Sequence, residues 1–149
     1  MSANLNFEYY SFTMRQIISF LLIFATVAIL GCSNKKDYPP ATDALDAGRE
    51  FIDACLKGEF DKAAFYMYDD STNNALLLKQ EKNYKEKSSK EKQEYHEASI
   101  IINENAVISD SVYIINYENS YDKTGRKVKV ILRSNNWFVD FKYTFDGNL

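Results

Sequence analysis

The chain has 149 residues, 46% hydrophobic and 15% aromatic, with eleven Tyr and ten Phe; disordered polypeptides are poor in both classes, so this composition specifies a folded protein, long enough for one domain and short for two. Eighteen Lys and Arg against 21 Asp and Glu leave a net charge of −3, which argues against a nucleic-acid partner and against a strongly acidic solvating chain. One His and two Cys, without carboxylates at ligand spacing, give no basis for a metal site, and five scattered Gly form no phosphate-cradling loop, so no cofactor is expected.

Residues 17–31 carry no charge and are preceded by Arg15. Such a run is short of the ~20 residues of a spanning helix and suits the apolar region of a signal peptide, with Arg15 holding its start in the cytoplasm. It ends in Ile29-Leu30-Gly31-Cys32, which resembles a lipobox. That resemblance implies diacylglycerol on the Cys32 sulfur and cleavage after Gly31, hence a lipid-anchored membrane protein of the cell envelope, outer membrane rather than inner. Which face of the membrane it occupies depends on sorting rules that differ among bacteria. Met14-Arg15-Gln16 makes a compact signal-peptide start, so translation is expected to begin at Met14 rather than Met1. The chain divides accordingly into a signal peptide (1–31), a lipidated tether containing Pro39-Pro40 (32–42), and a domain (43–149).

In the domain, Thr42 or Asp43 can cap a helix whose apolar positions are Leu45, Gly48, Phe51, Ile52, Cys55 and Leu56, with Gly58 at the left-handed C-terminal position. Cys55, left without a partner if Cys32 is lipidated, reads as a small buried hydrophobe rather than a nucleophile. A second helix is predicted from Glu59 to about Tyr68, and a third begins near Thr72, where Ala75, Leu76, Leu77 and Leu78 give way to an almost wholly charged stretch. Glu81/Lys85 and Glu86/Lys90 have i,i+4 spacing, and Ser88 with Glu91 has capping-box spacing, which predicts a break and a short last helix to Tyr95. The charged stretch reads as a solvated helix face before a partner-binding one.

From Glu97 the texture changes to residues rich in Ile, Val and Tyr. Strands are predicted over 98–103 and 107–117, broken at Glu104-Asn105, then over 127–133 after a turn at 121–125. Val128, Val130 and Leu132 alternate inward, with Lys127, Lys129 and Arg133 outward. After Ser134-Asn135-Asn136, a last strand alternates Trp137, Val139, Phe141, Tyr143 and Phe145 against Asp140, Lys142 and Thr144, which turns Asp140 toward solvent. This is an α+β chain with N-terminal helices packed on a four-stranded antiparallel sheet covered on one face.

The helix junction Lys57-Gly58-Glu59-Phe60-Asp61-Lys62-Ala63 and the closing segment Asn136-Trp137-Phe138-Val139-Asp140-Phe141 resemble nuclear-transport-factor-2-like (cystatin-like) domains, in particular small Gram-negative lipoproteins of unassigned function. The resemblance implies a curved, cone-shaped sheet with a cavity against the helices, and sheet-to-sheet pairing into a homodimer. Tyr66, Tyr113, Trp137, Phe141 and Tyr143 are the candidate lining residues, although as core aromatics they need no ligand to explain them. The functional expectation is a non-enzymatic module binding a small ligand or an envelope protein. An isomerase or dehydratase, which related folds host, needs a base in the cavity; His96 follows the charged helix and no acid falls on an inward strand position. An inhibitor or immunity-like partner is the further alternative, with Lys127, Lys129, Arg133 and Lys142 as its basic face.

Overall fold

The structure, a computed structural model, describes residues 37–146. The signal peptide, the lipobox with Cys32 and the Met14 start lie outside the described residues. Among the described residues four helices precede four strands: α1 (Ala44–Lys57), α2 (Phe60–Tyr66), α3 (Ser71–Glu86), α4 (Ser89–Glu97), β1 (Ile100–Ser109), β2 (Val112–Asn119), β3 (Arg126–Arg133) and β4 (Asn136–Asp140), followed by a 3-10 turn over Phe141–Phe145. The strands form one antiparallel sheet in the order β1-β2-β3-β4. None of the described helices is long and apolar enough to cross a membrane.

Local chemistry sets the helix ends. The Asp43 carboxylate accepts the Asp46 N–H at 2.8 Å to start α1, and Gly58, at φ 73°, closes it by donating its N–H to Ala54 and Cys55. Asp70 caps α3 through the N–H groups of Thr72 and Asn73. Ser88 and Glu91 close a reciprocal capping box that starts α4. The salt bridge Glu81–Lys85 forms at 2.6 Å, but Glu86 and Lys90 do not pair because the helix ends between them; Glu86 lies near Lys82 and Lys90 near Glu94.

α1 lies on the inner face of the sheet, burying Phe51 and Ile52 against Ile115, Val128, Val130 and Val139. Gly48 permits this approach, since a Cβ there would stand 2.3 Å from Cδ1 of fully buried Ile115. Ser134 and Asn135, both at positive φ, join β3 to β4 as a two-residue turn of the primed kind.

Three strand expectations are corrected. Glu104-Asn105 does not break the chain: β1 continues through two register shifts, at Ile102/Glu104 and Val107/Ser109, and the turn falls at Asp110-Ser111. Beyond Asp140 the alternation of Phe141, Tyr143 and Phe145 belongs to a 3-10 turn, in which Phe141 meets Phe51 edge-on at 4.9 Å. Asp140 is not turned to solvent but buried, accepting from Lys129 at 2.6 Å, Lys142 at 3.3 Å and Asn73 at 3.3 Å. The alternation assigned its face correctly; what buries Asp140 there is the start of α3, which brings in fully buried Asn73, together with Lys129 and Lys142.

The domain also starts earlier than its first helix. Tyr66 donates its hydroxyl to the Pro39 carbonyl at 2.8 Å, and the Tyr38 ring packs at 5.6 Å from Phe65. Tyr38 and Ala41 pack on the core, so the described end of the expected tether lies against the domain, in the compact unit that begins at Tyr38.

Candidate functional site

α1 does not fill the inner face. Toward its C-terminal end a partly enclosed cavity of about 370 Å³ opens between α1, α3, β2 and the 3-10 turn, within the size range of small-ligand pockets. Phe51, Ile52, Cys55 and Leu56 of α1 and Phe141 form its apolar floor, and Tyr117 faces them from the sheet. Gln80, Tyr84 and Lys87 of α3 and Tyr95 of α4 supply the helical wall, and Phe145, half exposed, flanks the opening.

Burial controls the chemistry of the floor. Cys55 lines the cavity with intermediate exposure, and burial pushes its thiol up to about 12. That keeps it a protonated, weakly nucleophilic hydrophobe. Burial also raises the Tyr117 hydroxyl well above its ordinary value. Both side chains, already protonated near pH 7 in water, therefore stay neutral here further into the alkaline range.

The polar end is organised by Asp122 in the β2–β3 turn. Asn119 accepts the N–H groups of Tyr121 and Asp122 at 3.0 and 2.9 Å, which folds the turn. The Asp122 carboxylate then receives Arg126 through both terminal guanidinium nitrogens, at 3.0 and 2.6 Å, with Asn119 Nδ2 at 3.0 Å, the Thr124 N–H at 2.9 Å and the Tyr95 hydroxyl at 3.1 Å. Partial burial raises its pKa, but the Arg126 and Thr124 hydrogen bonds outweigh this and hold the carboxyl far below the usual carboxylate range. Arg126 stands opposite Tyr117 in the register, and thus on the inner face. The Lys87 ammonium rests over the Tyr95 ring, 4.7 Å from its centroid.

Of the five aromatic residues singled out from sequence, Phe141 alone lines this cavity. Tyr113 and Trp137 meet edge-on at 5.3 Å toward the other end of the inner face, and Tyr66 holds the N-terminal segment. Tyr143 lies under the Lys129 ammonium, 5.3 Å from its ring centroid. The residues that sequence reasoning passed over are Tyr84, Lys87, Tyr95, Tyr117 and Arg126. Two signals reveal them. Arg126 stands two before Val128 and so shares its face, and Leu77, Gln80, Tyr84 and Lys87 follow a three-four-three spacing that marks one helix side.

No protein-family model matches this sequence, and no curated protein matches it. The fold and the cavity are therefore the ground on which function is read.

Proposed function

We propose that this chain is a lipid-anchored protein of the bacterial cell envelope, held in the outer membrane through diacylglycerol on Cys32, whose exported domain binds a small ligand without catalysing its conversion. Its fold is read as the cone-shaped, cystatin-like kind, with the ligand between helices and sheet. The observation that carries this reading is the 370 Å³ cavity, with an apolar floor and polar groups gathered at one end. Its lining residues include neither a carboxylate nor a histidine, so no ordinary general base stands at the ligand. His96 is exposed on α4, and Asp140 is committed to Lys129 and Lys142 on the opposite face.

Native mass spectrometry of the domain, taken gently from its own cell envelope, tests the binding reading. A reproducible added mass lost on substituting Tyr117 supports it, and a bare protein mass sinks it. Anchoring is tested separately: Cys32→Ser should release the protein from the membrane fraction, and unchanged partitioning would refute lipidation.

A homodimer formed through the sheet is the second reading, supported by the outermost strand β1, which exposes Ile101, Val107 and Ile108. Light scattering across a hundredfold concentration range checks it; a constant monomer mass would exclude it.

A further inference from the structure

We infer that the cavity takes a single-chain amphiphile with an anionic head, its chain along the floor of Phe51, Ile52 and Cys55 and its head at Lys87; this rests on the ligand-binding reading above and names the class of ligand. The floor is the first ground. Phe51, Ile52, Leu56 and Phe141 line it with aliphatic and aromatic surface, and Cys55 adds an uncharged thiol, so this end favours hydrocarbon over a polar moiety.

The second ground is charge. The two charged side chains of the lining are Lys87 and Arg126, both cations in a protein of net charge −3. The nearest acid, Asp122, has no capacity to receive a cationic head. Its two oxygens already accept five hydrogen bonds, from both terminal nitrogens of Arg126, Asn119, Thr124 and Tyr95. Glu91, which feels the Lys87 charge, is likewise turned away: its carboxylate accepts the Ser88 N–H at 3.0 Å and the Ser88 hydroxyl at 2.8 Å to close the α4 cap. Arg126 spends its charge on Asp122. Lys87 is left with an aromatic face beneath its ammonium and no carboxylate in ion-pair reach among the described residues. An anionic head at Lys87 therefore gains a charge-assisted hydrogen bond without breaking one, whereas a cationic head meets Lys87 and a saturated acid.

A free fatty acid and a lysolipid share this chemistry. The test titrates residues 33–149, which hold the whole compact unit, with dodecanoate, lauroyl-lysophosphatidate and dodecyltrimethylammonium below their micellar concentrations, following the Ile52 and Leu56 methyl resonances. Both anionic probes should shift those methyls, with dodecanoate binding at least about tenfold more tightly than the ammonium probe and losing roughly tenfold in Lys87→Gln, as expected for one charge-assisted hydrogen bond. Preference for one anion over the other identifies the source. Equal binding of the cationic probe, or anionic binding that Lys87→Gln leaves unchanged, overturns the anionic class while the cavity reading stands. If none of the probes binds but native mass spectrometry still finds an added mass, the amphiphile is wrong and the cavity reading survives; with no added mass both fall.

Discussion

Asn73 offers the sharpest test of how the helices are fastened to the sheet. Its side chain is fully buried, donates to the Tyr68 carbonyl at 2.9 Å and to the Asp70 and Asp140 carboxylates at 3.2 and 3.3 Å, and accepts the Lys142 N–H at 2.8 Å. One amide thus ties the start of α3 to the end of β4 and the 3-10 turn. Asn73→Ala removes it and leaves the Tyr68 carbonyl and the Lys142 N–H short of a partner, while Asp140 keeps Lys129 and Lys142. A buried group left unsatisfied costs about 1–3 kcal/mol, so with some relief by water a loss of about 3 kcal/mol is expected. For a domain of this size that corresponds to a fall of about 12 °C in Tm. Urea unfolding followed by tryptophan fluorescence measures it, with Asn74→Ala as the control, since Asn74 bonds Asp69 on the exposed surface. If Asn73→Ala stays within about 0.5 kcal/mol of the parent, the amide is not the fastening described here.

Three further outcomes follow from the same structure. The Asp122 carboxyl has its pKa lowered by folding, so its contribution to stability is present above the unfolded-chain value near pH 4 and is lost as pH falls below it; Asp122→Asn should lower stability at pH 7 and flatten the acid limb of a stability–pH curve, and an unchanged limb would contradict the assignment. With its pKa raised from 9.0 to about 12, Cys55 should alkylate roughly a thousandfold more slowly at pH 8 in the native domain than in urea, and comparable rates would show the thiol to be open. Gly58→Ala meets a left-handed backbone at φ 73° and places a Cβ 2.4 Å from the Tyr84 ring, so it should cost at least about 1–2 kcal/mol in urea unfolding, and an unchanged stability would refute the clash.

The parts of this fold legible in the sequence are those written by short-range chemistry. Asp43, Gly58 and the Ser88–Glu91 pair mark helix ends because a cap is satisfied within four residues, and Ser134-Asn135 marks a turn for the same reason. The misreadings arose where a distant segment decided the outcome. Alternation assigns Asp140 a face, but only the arrival of Asn73 with Lys129 and Lys142 buries the carboxylate on it. The period-two pattern from Phe141 to Phe145 gives way because Phe141 is drawn onto Phe51 and Thr144 donates its hydroxyl to the Lys127 carbonyl at 2.8 Å. The cavity was harder still to foresee. Its walls combine a helix that reads as solvated with residues flanking a turn, and neither contains a motif. Of the outward cations once grouped as a basic face, Lys129 and Lys142 are neutralised by Asp140 and Asp70.

The two sides of the cavity are secured very differently. Its floor belongs to α1, whose Phe51 and Ile52 are sealed in the core, whereas α3 buries only Asn73 and Leu77 and α4 buries no residue fully. The amides of this helical wall should therefore exchange hydrogen well before those of α1 and β3. Its far end is fastened by Tyr95, through one hydrogen bond to Asp122 and an edge contact 4.9 Å from Tyr121. The opening of the cavity beside Phe145 should therefore widen whenever that wall loosens, while the floor stays closed and the fold intact.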